Sequence, residues 1–64
     1  MRLHHISFET LHLQNQIKRL KTLSIRTISP QPEIGAVGPV VFLNPDDCGG
    51  TLVEICEVKS DGIG

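Results

Sequence analysis

The spacing of apolar residues changes once near the start of the chain, and that change demands two different elements in succession. Over residues 3–10, "LHHISFET", the pattern alternates. In an extended strand this puts Ile6 and Phe8 on one face and His5, Ser7 and Glu9 on the other. Over residues 11–23, "LHLQNQIKRLKTL", Leu13, Ile17 and Leu20 recur at helical spacing, while Gln14, Asn15, Lys18, Arg19 and Lys21 take the wet side. Thr10 has the side chain of an N-cap. The basic residues fall in the last turns, where they complement the negative end of the helix dipole. A strand thus feeds an amphipathic helix, and Ile6 and Phe8 are expected to pack beneath it.

The remaining segments read as β-structure divided by turn formers. "SIRTIS" (24–29) alternates as a short strand, and Pro30 and Pro32 end it because proline cannot donate to a ladder. "PQPEIGAVGP" (30–39) reads as a loop, punctuated by its prolines and glycines. "VVFL" (40–43) is a β-branched and aromatic strand. "NPDDCGG" (44–50) is a turn, "TLVEICEV" (51–58) a last strand, and "KSDGIG" a frayed tail. The expected order is β-α-β-β-β in one α+β module over 1–64, with one helix on one face of a curved sheet.

A chain of 64 residues holds at most one small domain, which buries only about 60% of its unfolded surface. Domains of this size lean on disulfides, a metal or a partner chain. Cys48 and Cys56 lack the dense spacing of a secreted scaffold and the Cys-x-x-Cys of a zinc or redox motif. They read as reduced thiols, and with no apolar core of a signal peptide in Met1–His5 the expected location is cytoplasmic. Six Lys/Arg stand against seven Asp/Glu, and there are two Phe and no Tyr or Trp. That composition supplies neither a basic footprint nor a stacking platform, so a nucleic-acid partner is not expected. No apolar run is long enough to span a membrane.

Glu54 is the anomaly. It stands in the middle of Leu52-Val53-Glu54-Ile55-Cys56, and burying a lone carboxylate is costly unless it is paired, ligated or hydrated. By strand parity Leu52, Glu54 and Cys56 share one face. If the helix covers the other side of the sheet, His5 and Glu54 both point to the open side. A His and a carboxylate on neighbouring strands are suitable ligands for a divalent ion, although two ligands do not complete a site.

Plainer explanations exist for each of these residues. A single His in a strand is more often a polar surface residue than a ligand, and a sheet with one wet face accommodates Glu54 without any function. His4 has the opposite parity to His5, and His12 belongs to a solvated helix start. Asp46 and Asp47 are turn formers. "GAVG" (35–38) is no phosphate loop, since no helix follows it.

Taken together, "HHISFET", the helix and "IGAVGPVVFLNPDDCGGTLVEICEV" resemble the C-terminal half of methylmalonyl-CoA epimerases, members of the glyoxalase/vicinal-oxygen-chelate superfamily. The resemblance runs from Leu3 to Val58. It is most specific at His4-His5-Ile6, at Ile34-Gly35-Ala36, at Phe42-Leu43 with Pro45, and most strongly at Gly49-Gly50 with Leu52-Val53-Glu54. It implies a βαβββ module, two of which normally make a chain whose sheets curve around a metal-centred cleft. It also implies that His5 and Glu54 are metal ligands and that Glu54 takes part in proton transfer. The implied cofactor is a divalent ion, with Co, Mn, Ni, Mg and Zn all compatible. The implied substrate is an acyl-CoA thioester, epimerised through an enolate.

Three departures accompany the resemblance. The N-terminal module that carries the other ligands and the opposite acid is missing, so a second module or a second copy of the chain, as a homodimer, is expected to complete the site. The loop at Gly38-Pro39 is one residue shorter, and Asn44 and Thr10 stand where His and Val are common. The alternatives to an epimerase are a non-catalytic ligand-binding module of the same superfamily and an inactive fragment.

Overall fold

The computed structural model describes residues 5–59. The chain runs β1 (His5–Thr10), α1 (Leu13–Thr22), β2 (Glu33–Ile34), β3 (Pro39–Leu43), a 3-10 turn (Pro45–Asp47) and β4 (Leu52–Glu57). One mixed sheet contains all four strands in the order β1-β4-β3-β2. β1 lies parallel to β4, and the other two pairings are antiparallel. This is the expected α+β, βαβββ module with one helix on one face. His4 and the tail from Ser60 lie outside the described residues.

The register assigns the two faces of the sheet. His5, Ser7 and Glu9 lie beside Leu52, Glu54 and Cys56 on β4, and Val40 and Phe42 of β3 join them. The opposite face carries Ile6, Phe8, Val53, Ile55, Glu57, Val41 and Leu43. The helix belongs to this second face, because the backbone N–H of Leu13 donates to Glu57 Oε1 at 2.9 Å. Leu13 and Leu20, two helical turns apart, are buried together with Val41 and Leu43. Val40 and Cys56 are buried on the other side. The turn between β2 and β3 closes over that end of the sheet, and a Cβ on Gly38 would stand 2.5 Å from the Glu57 carbonyl oxygen. Only glycine permits so close a backbone approach.

Four local expectations are corrected. Thr10 is not the N-cap: it ends β1, and its hydroxyl accepts from the His12 N–H at 3.2 Å. His12 occupies the cap position without a side-chain bond, and Glu57 satisfies the first helical N–H instead. The negative carboxylate also complements the helix N-terminus. The segment 24–29 is not a strand, although it runs beside the end of β3. It makes one isolated bridge, Thr27 to Leu43, and the Ile28 N–H donates to the Phe42 carbonyl at 2.8 Å. Pro30 and Pro32 interrupt this pairing, which resumes at Glu33 to form β2 inside the stretch expected to be loop. Finally, Ile6 and Phe8 lie on the helix side yet remain 45% and 55% exposed. β1 is an edge strand, and the helix sits over the middle of the sheet.

Candidate metal centre

The site grows from the turn that precedes β4. Asn44 caps the 3-10 turn by accepting the Asp46 N–H at 3.0 Å, with Pro45 in the first position. Gly49 and Gly50 follow at φ 65° and 85°, the left-handed region that costs other residues about 1–2 kcal/mol. They return the chain so that Gly50 N–H donates to the Pro45 carbonyl at 2.8 Å and β4 begins at Leu52. Asp47 braces the turn from the side. Its carboxylate receives the Arg26 backbone N–H at 2.8 Å and the guanidinium Nε and Nη2 at 3.0 and 3.1 Å. The Arg26 side-chain bonds are the largest cause holding the Asp47 carboxyl below the usual carboxylate range. In return, the same bonds raise the guanidinium's pKa.

With β4 so placed, Glu54 stands mid-strand between Ser7 on β1 and Phe42 on β3. His5 is one pleat away, since its own register partner is Leu52. The side chains converge, with His5 Nε2 in direct contact with Glu54 Oε1. The His5 side chain is 49% exposed and that of Glu54 19%, so the pair opens to solvent while its carboxylate is partly sheltered. The anomalous acid is therefore neither buried alone nor simply hydrated. It has a partner on the neighbouring strand, on the sheet face away from the helix.

The other sequence candidates stay apart. Among the described residues no group of three or more His, Cys, Asp and Glu side chains converges, so His12, Asp46 and Cys48 do not extend the pair. Cys48 and Cys56 are free, and Cys56 belongs to the core. An imidazole nitrogen and a carboxylate oxygen brought together on an open face fit two positions of a divalent ion's coordination shell. Further ligands have to come from outside these residues. Sequence reasoning missed the Asp47–Arg26 pair, which spans 21 positions and carries no local signal. It also missed Glu57 as the cap of α1, for the same reason.

No family model matches the chain. Curated relatives do. Human mitochondrial methylmalonyl-CoA epimerase is 46% identical over 54 residues, which are 83% of this chain and 31% of that protein. An ethylmalonyl-CoA/methylmalonyl-CoA epimerase of Cereibacter sphaeroides is 43% identical over 58 residues, covering 88% of this chain and 43% of that one. Among solved structures, a Streptomyces coelicolor methylmalonyl-CoA epimerase variant in complex with 2-nitronate-propionyl-CoA superposes with a TM-score of 0.77 at 30% identity. That match covers 86% of this chain and 40% of the other. The chain thus spans less than half the length of the relatives it matches. Over the matched residues it is a homologue of the methylmalonyl-CoA epimerases, folded as one βαβββ module of the glyoxalase type.

Proposed function

We propose that the chain supplies one wall of a metal-dependent, epimerase-like site for a 2-methyl-3-carboxyacyl-CoA thioester, with His5 and Glu54 as its metal ligands. The observation that carries this reading is the His5–Glu54 contact on the open face, in a chain homologous to methylmalonyl-CoA epimerases. His5 and Glu54 would hold a divalent ion, which would supply Lewis-acid chemistry to the substrate's oxygens. Glu54 takes or returns the proton on one face of the carbon between thioester and carboxylate, and a second acid is needed on the other face. His5 would hold the ion from the neighbouring strand. Phe42, the cross-strand neighbour of Glu54, lends an apolar border to this wall.

The opposite wall comes from a second βαβββ module, and we assign that role to a second copy of the chain. Identical surfaces pair readily about a two-fold axis, and two copies together offer two His and two Glu. A cytoplasmic location completes the reading, resting on the free thiols of Cys48 and Cys56; the human relative is named as mitochondrial. No described helix is long and apolar enough to cross a membrane.

The test is an epimerisation assay on methylmalonyl-CoA with added divalent metal, comparing the chain with Glu54→Gln. The expected result is measurable turnover in the parent and a loss of about a hundredfold or more in the variant, the usual scale of removing a general acid or base. Equal activity in the two chains excludes Glu54 as the catalytic acid. An inactive parent excludes self-completion and leaves the chain as a non-catalytic module.

A further inference from the structure

The helix side of the sheet carries a concavity that the proposed chemistry does not use. A cavity of about 590 Å³ opens between the C-terminal half of α1 and residues 24–30, within the size range of small-molecule sites. Ile17, Leu20, Ile25 and Pro30 make its apolar lining. Glu54 belongs to the opposite face, because it and the helix-capping Glu57 differ by an odd number of strand positions.

At the helix end that forms this cavity, the Arg19, Leu20 and Lys21 carbonyls are paired. The Leu23 N–H donates to the Arg19 and Leu20 carbonyls, Ser24 N–H to Lys21, and Ile25 N–H to Leu20. The last two bonds, with Ser24 at φ 59°, are those of a Schellman motif. The rim also carries donors without partners. Lys21 and the Ser24 hydroxyl have no hydrogen-bond or ion-pair partner among the described residues. Arg26 spends only Nε and Nη2 on Asp47, leaving further guanidinium N–H groups. An apolar trough edged by an ammonium, a guanidinium and a hydroxyl complements one ligand chemistry. We propose that this cavity binds an amphipathic carboxylate, a short acyl chain along Ile17, Leu20, Ile25 and Pro30 with its anionic head at Lys21 and Ser24.

Octanoate titrated into the ¹⁵N-labelled chain, followed by amide shifts, tests this without reference to metal or turnover. Saturable shifts confined to residues 17–30 are expected, with none around His5 and Glu54. Acetate, which has the charge without the chain, and octan-1-ol, which has the chain without the charge, should each bind far more weakly. Lys21→Gln, at an exposed helical position, should weaken octanoate about tenfold through the lost charge-assisted bond, and Lys21→Arg should retain it. Ser24→Gly suits the backbone better and so keeps the fold, yet should also weaken binding. Shifts elsewhere or none, acetate or octanol binding as tightly as octanoate, or an unchanged affinity in Lys21→Gln would each overturn the proposal.

Discussion

Ser24 shows how a single residue can serve one purpose against its own backbone preference. It sits at the C′ position of α1 with φ 59°, where glycine is the usual occupant. A non-glycine residue held there costs on the order of 1 kcal/mol. Ser24→Gly should therefore raise stability by about 1 kcal/mol, read as a higher urea midpoint at unchanged slope. An unchanged or lower midpoint would mean that the surrounding hydrogen bonds, rather than the conformation, set the energy of this turn. Glu54 is the opposite kind of residue, visible in the sequence because it breaks an apolar run. Parity placed it with His5 on the face away from the helix, and the parallel β1–β4 register makes the two side chains meet. Parity does not say which strands are neighbours, so contact was an inference from pattern until the register was known.

At the level of elements, long periodic segments were legible and the contacts that trim them were not. Leu13, Ile17 and Leu20 announce α1, but its first turn begins at Leu13 because Glu57, 44 residues away, takes the N–H there. β2 has only two residues, too few for alternation to register, and prolines hide it. The turn before β4 was legible in Asn44-Pro45 and Gly49-Gly50, whereas its brace to Arg26 was not. That brace has a pH signature. Because the native Asp47 carboxyl is held below its ordinary value, its contribution to stability is full above the unfolded value of about 4. It is lost as pH falls through the lower, native value. Asp47→Asn should lower the urea midpoint at neutral pH, and the two chains should converge in acid. Parallel curves across that range would show that the Arg26–Asp47 pair contributes nothing through its charge.

For the whole molecule the decisive feature is what the sheet leaves uncovered. β1 is an edge strand, and Ile6 and Phe8 on it remain about half exposed. The sequence pattern marked both as core because alternation identifies an apolar face but not whether anything covers it. A chain of this size gains little margin from its own core, and an unpaired edge beside apolar side chains invites another chain. The proposed second copy would cover this region and bring a second His5–Glu54 pair to the same assembly. Light scattering on the eluted protein should then report twice the 7.0 kDa chain mass. Phe8→Glu, a change at a half-exposed position that leaves the buried residues intact, should return it to a monomer and abolish metal uptake at the shared site. A parent chain that runs as a metal-free monomer would remove the basis for a self-completed site. A dimer untouched by Phe8→Glu would move the interface away from β1, and with it the route by which two half-sites meet.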